Sequence, residues 1–508
     1  MHPNEWQLRL IGYCIVNPED FLERFVREGP GGLTDLEGEY TVVLERPGES
    51  CIITSYFGAC QYYYAVVDGQ LHHDDTVIGV LRKSRLAWTW NWRALADFAL
   101  LDFTLENETL HPRISRVPPR SVLRFYRGKL SIASQDLQAW YPQRSARPED
   151  ALEAFNAATR RWLTADPVVS MSAGFDSRVI LSSVLKMGGR PLLFSVGFED
   201  STDVLISRQI ATVLGLPFLL ATLDPEDYLE YGNVIARLTN GTKRAWHWHT
   251  YLYPRKAHID PAAPFYVGTN GEFARTFYFD KGIVASLTNL MSTTALQAFW
   301  KRKMETSLFT REELGGLTPA FSQEFSDAGI RSRIERLTGL CHRKFLGGLD
   351  RFYLEQRVSN FMGNGVKLYQ ESVAWRSPFL DRDWVAGVWN LPRRWKYGSN
   401  WHRFAIAANC RLLLEFPEVG RASRMAAAAP FLYWLRKRRY PAIPFARYPV
   451  WFRSDRVLDT LRESHELIGE VVEPGTLVGI LDEERQRGTR TSAIAFLLAL
   501  YFWQRNLR

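Results

Sequence analysis

The chain has 508 residues, 46% hydrophobic and 23% charged, a net charge of +8, and five cysteines. That composition is ordinary for a globular chain of about two to four domains and needs no disulfides to hold its cores. The cysteines (Cys14, Cys51, Cys60, Cys341, Cys410) are odd in number and show no C-x-x-C pairing, which speaks against a disulfide framework or thiolate metal site and favours a reducing, cytoplasmic compartment. The basic excess suits an anionic ligand but does not by itself indicate nucleic acid, and none is expected as a partner.

Met1-His2-Pro3-Asn4-Glu5 has no basic segment leading into an apolar run, so no secretory signal is expected. The first third reads as short strands and turns. "YTVVLERPGESCIITSY" (40–56) places two β-rich runs around Pro47-Gly48. "QYYYAVVDGQLHH" (61–73) is a hairpin signal around Asp68-Gly69, and "SVLRFYRGKLSIAS" (121–134) repeats the pattern around Gly128. "NWRALADFALLDFTL" (91–105) is helical between them. The polar stretch 134–150 is the best linker candidate, dividing an antiparallel domain (1–140) from a second domain (145–508). Pro148, Glu149 and Asp150 then open a helix.

From residue 165 strands and helices alternate. "PVVSM" is a strand, 176–189 a helix ended by Gly188-Gly189, 191–198 a strand, 203–216 a helix and 217–223 a third strand. This order predicts a doubly wound parallel sheet and an α/β fold class. The remainder reads as mostly helical, with one later strand at 264–268. The apolar run 491–503 is too short to span a bilayer and reads as a buried C-terminal helix.

In such a sheet, ligands bind beyond the carboxyl ends of the strands. The turn "SAGFDS" (172–177) lies at one, just after Ser170 of the strand. Ala173 and Gly174 let backbone approach a ligand, Ser172 and Ser177 add hydroxyl donors, and the helix offers free N–H groups to an anion. Asp176 would repel phosphate directly but suits a divalent cation that itself touches phosphate. The turn is neither a Walker nor a Rossmann loop, and alone it is equally a capped helix. "FYVGTNGEFAR" (265–275) supplies a second Gly-containing turn with the acid Glu272. "VAWRSPFLDRDW" (373–384) supplies Arg376 and Asp381 around a Pro-Phe-Leu turn.

These three segments together resemble the asparagine synthetase family. Its S-G-G-x-D-S loop is matched by Ser172-Ala173-Gly174-Phe175-Asp176-Ser177, its S-V-G by Ser195-Val196-Gly197, and its R-x-P-F-L-D by Arg376 to Asp381. Its S-G-E-G-x-D-E loop is matched loosely by Val267 to Phe273. The resemblance implies a degenerate Ntn-hydrolase-like antiparallel sandwich of glutaminase type, then a PP-loop ATP pyrophosphatase domain with a helical C-terminal part. It implies ATP on Ser170, Ser172, Ala173, Gly174, Asp176, Ser177, Val196 and Gly268, with Mg²⁺ held by Asp176 and Glu272. A small-molecule or peptide carboxylate would be adenylated, releasing pyrophosphate, and passed to an amine donor as an amide.

Departures from the family pattern narrow this expectation. The glutaminase nucleophile, a cysteine after the initiator Met, is replaced by His2, and Cys14, Cys51 and Cys60 are internal, so glutamine hydrolysis is not expected. Thr269 replaces the Glu of asparagine-forming members and the Tyr of β-lactam synthetases. The family's late lysine has only Arg421 and Arg424 as counterparts, and Arg424 is taken for its role. Glu355 in "FYLEQRVSNF" is taken as its carboxylate partner.

An amide ligase is the reading these residues favour. A lasso-peptide or other macrolactam cyclase and a catalytically silent nucleotide-binding homologue remain as alternatives, with a homodimer left open as the assembly. Three further features have competing readings. His247 and His249 in "WHWH" are a metal pair or, by preference, packed or solvated side chains. The basic and aromatic run 435–456 is a membrane, leader-peptide or nucleic-acid surface or, by preference, a covered patch. Glu199, Asp200 and Asp203 are expected to cap the following helix, with a substrate amine contact open.

Overall fold

A computed structural model of the chain describes residues 6–33, 36–137, 146–275, 277, 293–305, 308–343, 346–417 and 443–508. Strand β1 (Gln7–Cys14) leads into helix α1 (Pro18–Glu28), where the Asn17 side chain accepts from the Asp20 N–H at 2.9 Å. Strands β2 (Gly38–Arg46) and β3 (Glu49–Thr54) form the expected hairpin around Pro47-Gly48. Strands β4 (Tyr63–Val67) and β5 (Gln70–Asp74) form the next, with Asp68 and Gly69 at φ of 51° and 73°, as a tight primed turn requires. Helices α2 (Val77–Ser84) and α3 (Trp92–Leu101) follow, then β6 (Ser115–Arg116), β7 (Ser121–Tyr126) and β8 (Lys129–Ser134). Of these helices only α3 was expected; α1 nevertheless carries a helical signal, since Phe21 and Phe25 are four apart and both buried.

The strands form one antiparallel sheet in the order β1-β2-β3-β7-β8 and a second in the order β5-β4-β6. Period-2 alternation decides the layering. Val42 and Leu44 share a core with Phe21 and Phe25 of α1, whereas Val43, Ile52 and Leu123 share one with Tyr62 and Tyr64 beside the second sheet. Helix α2 lies against β4 and β5. The result is a helix–sheet–sheet–helix sandwich.

Within it, Glu39 is 1% exposed, accepting from the Ser55 hydroxyl at 2.9 Å and the Ala59 N–H at 3.0 Å. Burial raises its carboxyl pKa from the ordinary 4.5 to about 7, against the opposing pull of those hydrogen bonds and of Arg120. The folded chain therefore keeps this proton to higher pH than the unfolded chain. The contribution to stability is fully present below pH 4.5, declines as the pH rises to about 7, and amounts to roughly 3 kcal/mol. Glu39→Gln, which keeps an acceptor for both donors, is expected to abolish that part of the pH slope in denaturant titrations run across the interval.

Helix α4 (Pro148–Arg161) opens the second part, with Pro148 in its first turn as anticipated. Then come β9 (Val168–Met171), α5 (Phe175–Lys186), β10 (Leu192–Val196), α6 (Thr202–Leu214) and β11 (Phe218–Ala221). Helices α7 (Pro225–Leu238) and α8 (His249–Lys256) precede β12 (Pro264–Tyr266) and β13 (Ala374–Arg376). These strands make a parallel sheet in the order β11-β10-β9-β12-β13. The fifth strand was not expected, because three residues ahead of a Pro-Phe-Leu turn carry no periodic signal. The C-terminal run forms the buried helix Thr491–Leu507, packed on α7. Among the described residues no helix is long and apolar enough to cross a membrane.

The two parts are joined extensively. The largest apolar cluster takes in Tyr63 and Val77 from one side of the 134–150 stretch and Val169 and Trp503 from the other. The Gln61 amide donates to the carbonyls of Ser359 and Asn360 at 2.8 and 3.1 Å. Buried Asp97 pairs with Arg333 and Arg336 at 2.6 and 3.0 Å.

Candidate functional site

Strand β9 is the centre of the parallel sheet. The chain leaves it for β10 on one side, and β12 lies on the other, so the turn 172–177 stands where the strand order reverses. That is where a crevice opens at the carboxyl ends of parallel strands. Gly174 is the N-cap of α5, in extended conformation, with no side-chain cap. The Ser172 N–H donates to Ser177 Oγ at 3.2 Å, and the Gly174 N–H donates to Ser172 Oγ at 3.2 Å.

Two further side chains hold the turn from behind. Asp203 accepts from the Ala173 N–H at 2.7 Å, and burial raises its carboxyl pKa despite that bond. Asp203 therefore does not cap α6 as expected; the N-cap there is Ser201. Arg178 has no solvent exposure and donates to the carbonyls of Ala173 (2.9 Å), Leu413 (3.2 Å), Phe416 (2.9 Å) and Pro417.

The turn opens onto a cavity of about 260 Å³. Ser170, Ser172, Asp176, Ser177, Val196 and Gly268 all line it, so the structure brings these six expected residues together, with Ala173 and Gly174 in the turn between them. Its apolar wall includes Phe194, Phe265 and Phe445. Phe445 arrives because the chain from residue 443 crosses back over the end of β10, where Ile443 and Thr202 exchange hydrogen bonds. Gly197 permits this: its φ is +128°, and a Cβ there would stand 2.7 Å from the Phe445 carbonyl oxygen. Farther along the run 435–456, Tyr448 and Phe452 stack on each other beside Tyr228, whereas Arg447, Arg453 and Arg456 are exposed, so the aromatic side chains of the described part are packed and its basic ones face solvent.

His249 also lines the cavity. Its Nδ1 lies 3.0 Å from both the Tyr448 hydroxyl and the Trp246 carbonyl, and burial pushes its pKa down to about 4. Burial lowers His247 as well. Both rings are packed neutral groups, in line with the preferred reading of that pair.

The second turn closes over the first at Asp176. A Cβ at Gly268 would stand 3.2 Å from Asp176 Cβ, and one at Gly271 would stand 2.7 Å from Asp176 Cγ. Asn270 adopts φ of 74°, and its amide donates to the Phe379 carbonyl at 2.6 Å. The Ser377 hydroxyl donates to the Thr269 carbonyl at 2.7 Å. The R-S-P-F-L-D segment thus braces this turn through Ser377 and Phe379. Its charged side chains face elsewhere: Arg376 lies over the Tyr13 ring at 4.4 Å, and Asp381 pairs with Arg161 at 2.9 Å.

Each of the two acids expected to hold Mg²⁺ is met by an arginine. Asp176 Oδ2 pairs with Arg275, and Asp176 Oδ1 lies 2.8 Å from His402 Nε2. Burial holds His402 below its ordinary pKa, against the pull of Asp176. Glu272 Oε1 accepts from the Tyr353 hydroxyl at 3.1 Å and lies 3.4 Å from Arg357 Nε. Mg²⁺ requires several hard oxygen ligands at short range, and a guanidinium on the same carboxylate repels it. The residues present do not fit a resident divalent cation.

Glu355 faces away from this cluster, pairing with Arg351 at 3.0 Å and Arg120 at 3.6 Å toward the antiparallel part. Arg421 and Arg424 lie outside the described residues, as does His2. Arg275, His402, Tyr353 and Arg357 were not expected at the site. One signal was present: Tyr353 and Arg357 are four apart and share a helix face, which Glu355, two away from each, does not.

Neither a protein-family model nor a curated protein matches the chain.

Proposed function

We propose that the protein is an ATP-dependent amide-forming ligase that adenylates a carboxylate and lacks a glutaminase of its own. The observation that carries this reading is the position of the serine-rich turn 172–177, at the reversal point of a parallel sheet and open to an aromatic-walled cavity. The aromatic wall near Val196 suits a nucleobase, and the turn with the start of α5 suits its phosphates. A PP-loop domain behind a degenerate Ntn-type sandwich is the specific fold this reading assigns. The sandwich layering supports it, and His2 in place of a nucleophilic cysteine assigns the amine to free ammonia or a second substrate.

The chemistry is a two-step acyl transfer. A carboxylate oxygen attacks the α-phosphorus of ATP, the bond from that phosphorus to the bridging oxygen breaks, and pyrophosphate leaves. The amine then attacks the acyl carbon of the mixed anhydride, AMP departs, and the amine loses a proton. The chain's contribution is to hold the polyphosphate and stabilise charge on the departing pyrophosphate through fixed N–H groups and Arg275. Asp203 and Arg178 position the turn. The carboxylate is a small molecule or a peptide end; ring closure of a peptide is the same chemistry with both groups on one chain.

A second reading, nucleotide binding without transfer, is favoured by the arginines already on both acids. Isotope exchange between pyrophosphate and ATP with a panel of small acids and peptides separates the two. Acid-dependent exchange is expected; ATP binding without exchange for any acid would leave the second reading, and no binding would remove both.

A further inference from the structure

We infer that the positive charge this site offers to phosphate is built into the chain at Arg275, and that anion binding here does not need a divalent cation. This deepens the proposed nucleotide reading and rests on it. A phosphate site built around a carboxylate has an electrostatic problem, since carboxylate and phosphate repel. The usual solution is a metal between them, and Asp176 invited that solution from sequence. The structure shows another: Arg275 stands on Asp176.

The placement is supported from several sides. Arg275 ends the short helical turn Gly271–Ala274, and Gly271 holds that turn against Asp176, where even a Cβ would have to displace the carboxylate. The Asn270 and Ser377 hydrogen bonds fix the same turn from its other side. The Arg275 side chain is 25% exposed, and Asp176 lines the cavity. The guanidinium therefore touches a carboxylate that lines the cavity, without lining it itself, and is about three-quarters sheltered from screening solvent.

Glu272 repeats the arrangement. Its partner Arg357 is held over the rings of Phe277 and Phe361 at 4.3 and 4.2 Å, which fixes the cation with little freedom to leave. The two acids expected to share a metal instead each pair with an arginine. A guanidinium carries five N–H donors in a planar fork, matched to carboxylate and phosphate oxygens alike. Arg275 is suited to link Asp176 to a phosphate oxygen at the turn, doing electrostatically what a bridging cation does. In this arrangement Asp176 is a positioning residue for Arg275.

The test is calorimetric titration of the full chain with pyrophosphate and with ATP, once in Mg²⁺ and once in EDTA. Wild-type dissociation constants are expected to agree within about 3-fold between the two conditions. Arg275→Met should weaken binding at least 10-fold in EDTA and regain part of it in Mg²⁺, because the uncovered carboxylate then accepts a cation. Arg275→Lys, which keeps the charge but loses the fork, should bind in EDTA better than the Met variant. Wild-type binding in Mg²⁺ that falls 10-fold or more in EDTA would overturn this inference and leave the nucleotide reading standing. Absence of wild-type binding in both conditions would overturn the nucleotide reading, and this inference with it.

Discussion

Asp176→Asn is expected to reduce acid-dependent pyrophosphate exchange by about 100- to 1000-fold, the scale on which loss of one preorganised electrostatic contact lowers turnover. Asn matches the carboxylate in shape but not in charge. The Arg275 pair is lost as an ion pair, and His402, 2.8 Å from Oδ1, then faces an uncharged group. The guanidinium then has no charge to fix it beside the turn, so the departing pyrophosphate meets a mobile cation. The fold should survive, because the Asp176 side chain is 23% exposed and touches the second turn rather than the core beneath the sheet. The decisive readout is a split of the kinetic constants. A positioning role predicts a fall in kcat with a rise in KM for ATP no larger than removal of Arg275 itself brings, whereas general loosening of the turn would raise KM beyond that. Unchanged near-ultraviolet circular dichroism and thermal midpoint exclude unfolding. Full exchange activity in this variant would remove Asp176 from the mechanism.

What could be read in the sequence follows from how local each signal is. The three hairpins were legible because each turn chemistry is written in adjacent residues, as in Asp68-Gly69 at positive φ. The core of the parallel sheet was legible because strand, turn and helix from Val168 to Ala221 alternate in period. So was the cavity edge at Ser172, Ser177 and Val196, since position at a strand's carboxyl end follows from topology alone. Strand β13 was not legible, being three residues paired with β12 across more than one hundred intervening residues. A pairing of that kind is fixed by the surrounding core and leaves no periodic trace.

The charged partners were illegible for a related reason. Asp176 looks like a metal ligand until one knows that Arg275 and His402 converge on it from separate elements. Asp203 looks like a helix cap, sitting in the first turn of α6, until the sheet brings Ala173 within 2.7 Å. Arg376 and Asp381 match a motif residue by residue, yet the segment serves through Ser377 and Phe379. In each case residue type gave the available chemistry, and only packing decided which partner received it.

Arg178→Met should be the most damaging single change for stability, at about 3–5 kcal/mol. The guanidinium is fully buried and is surrounded by main-chain carbonyls: Ala173 in the turn 172–177, and Leu413, Phe416 and Pro417 in the segment after the helix Asn400–Cys410. Methionine fills much of the stem volume, so the cost of a cavity is small. What it cannot supply is donors, and each buried carbonyl left without one costs about 1 kcal/mol or more. Arg178→Lys should recover only part of the loss, because a single ammonium cannot reach four acceptors spread around a planar fork. Denaturant titration, comparing midpoints at constant slope, measures the stability term. Nucleotide titration of the still-folded variants measures the second consequence. Since the same side chain fixes the carbonyl of Ala173, its loss should release the turn and weaken ATP binding even at temperatures where the fold persists. A midpoint within experimental error of wild type would mean that the turn and the 413–417 segment hold their places without this link.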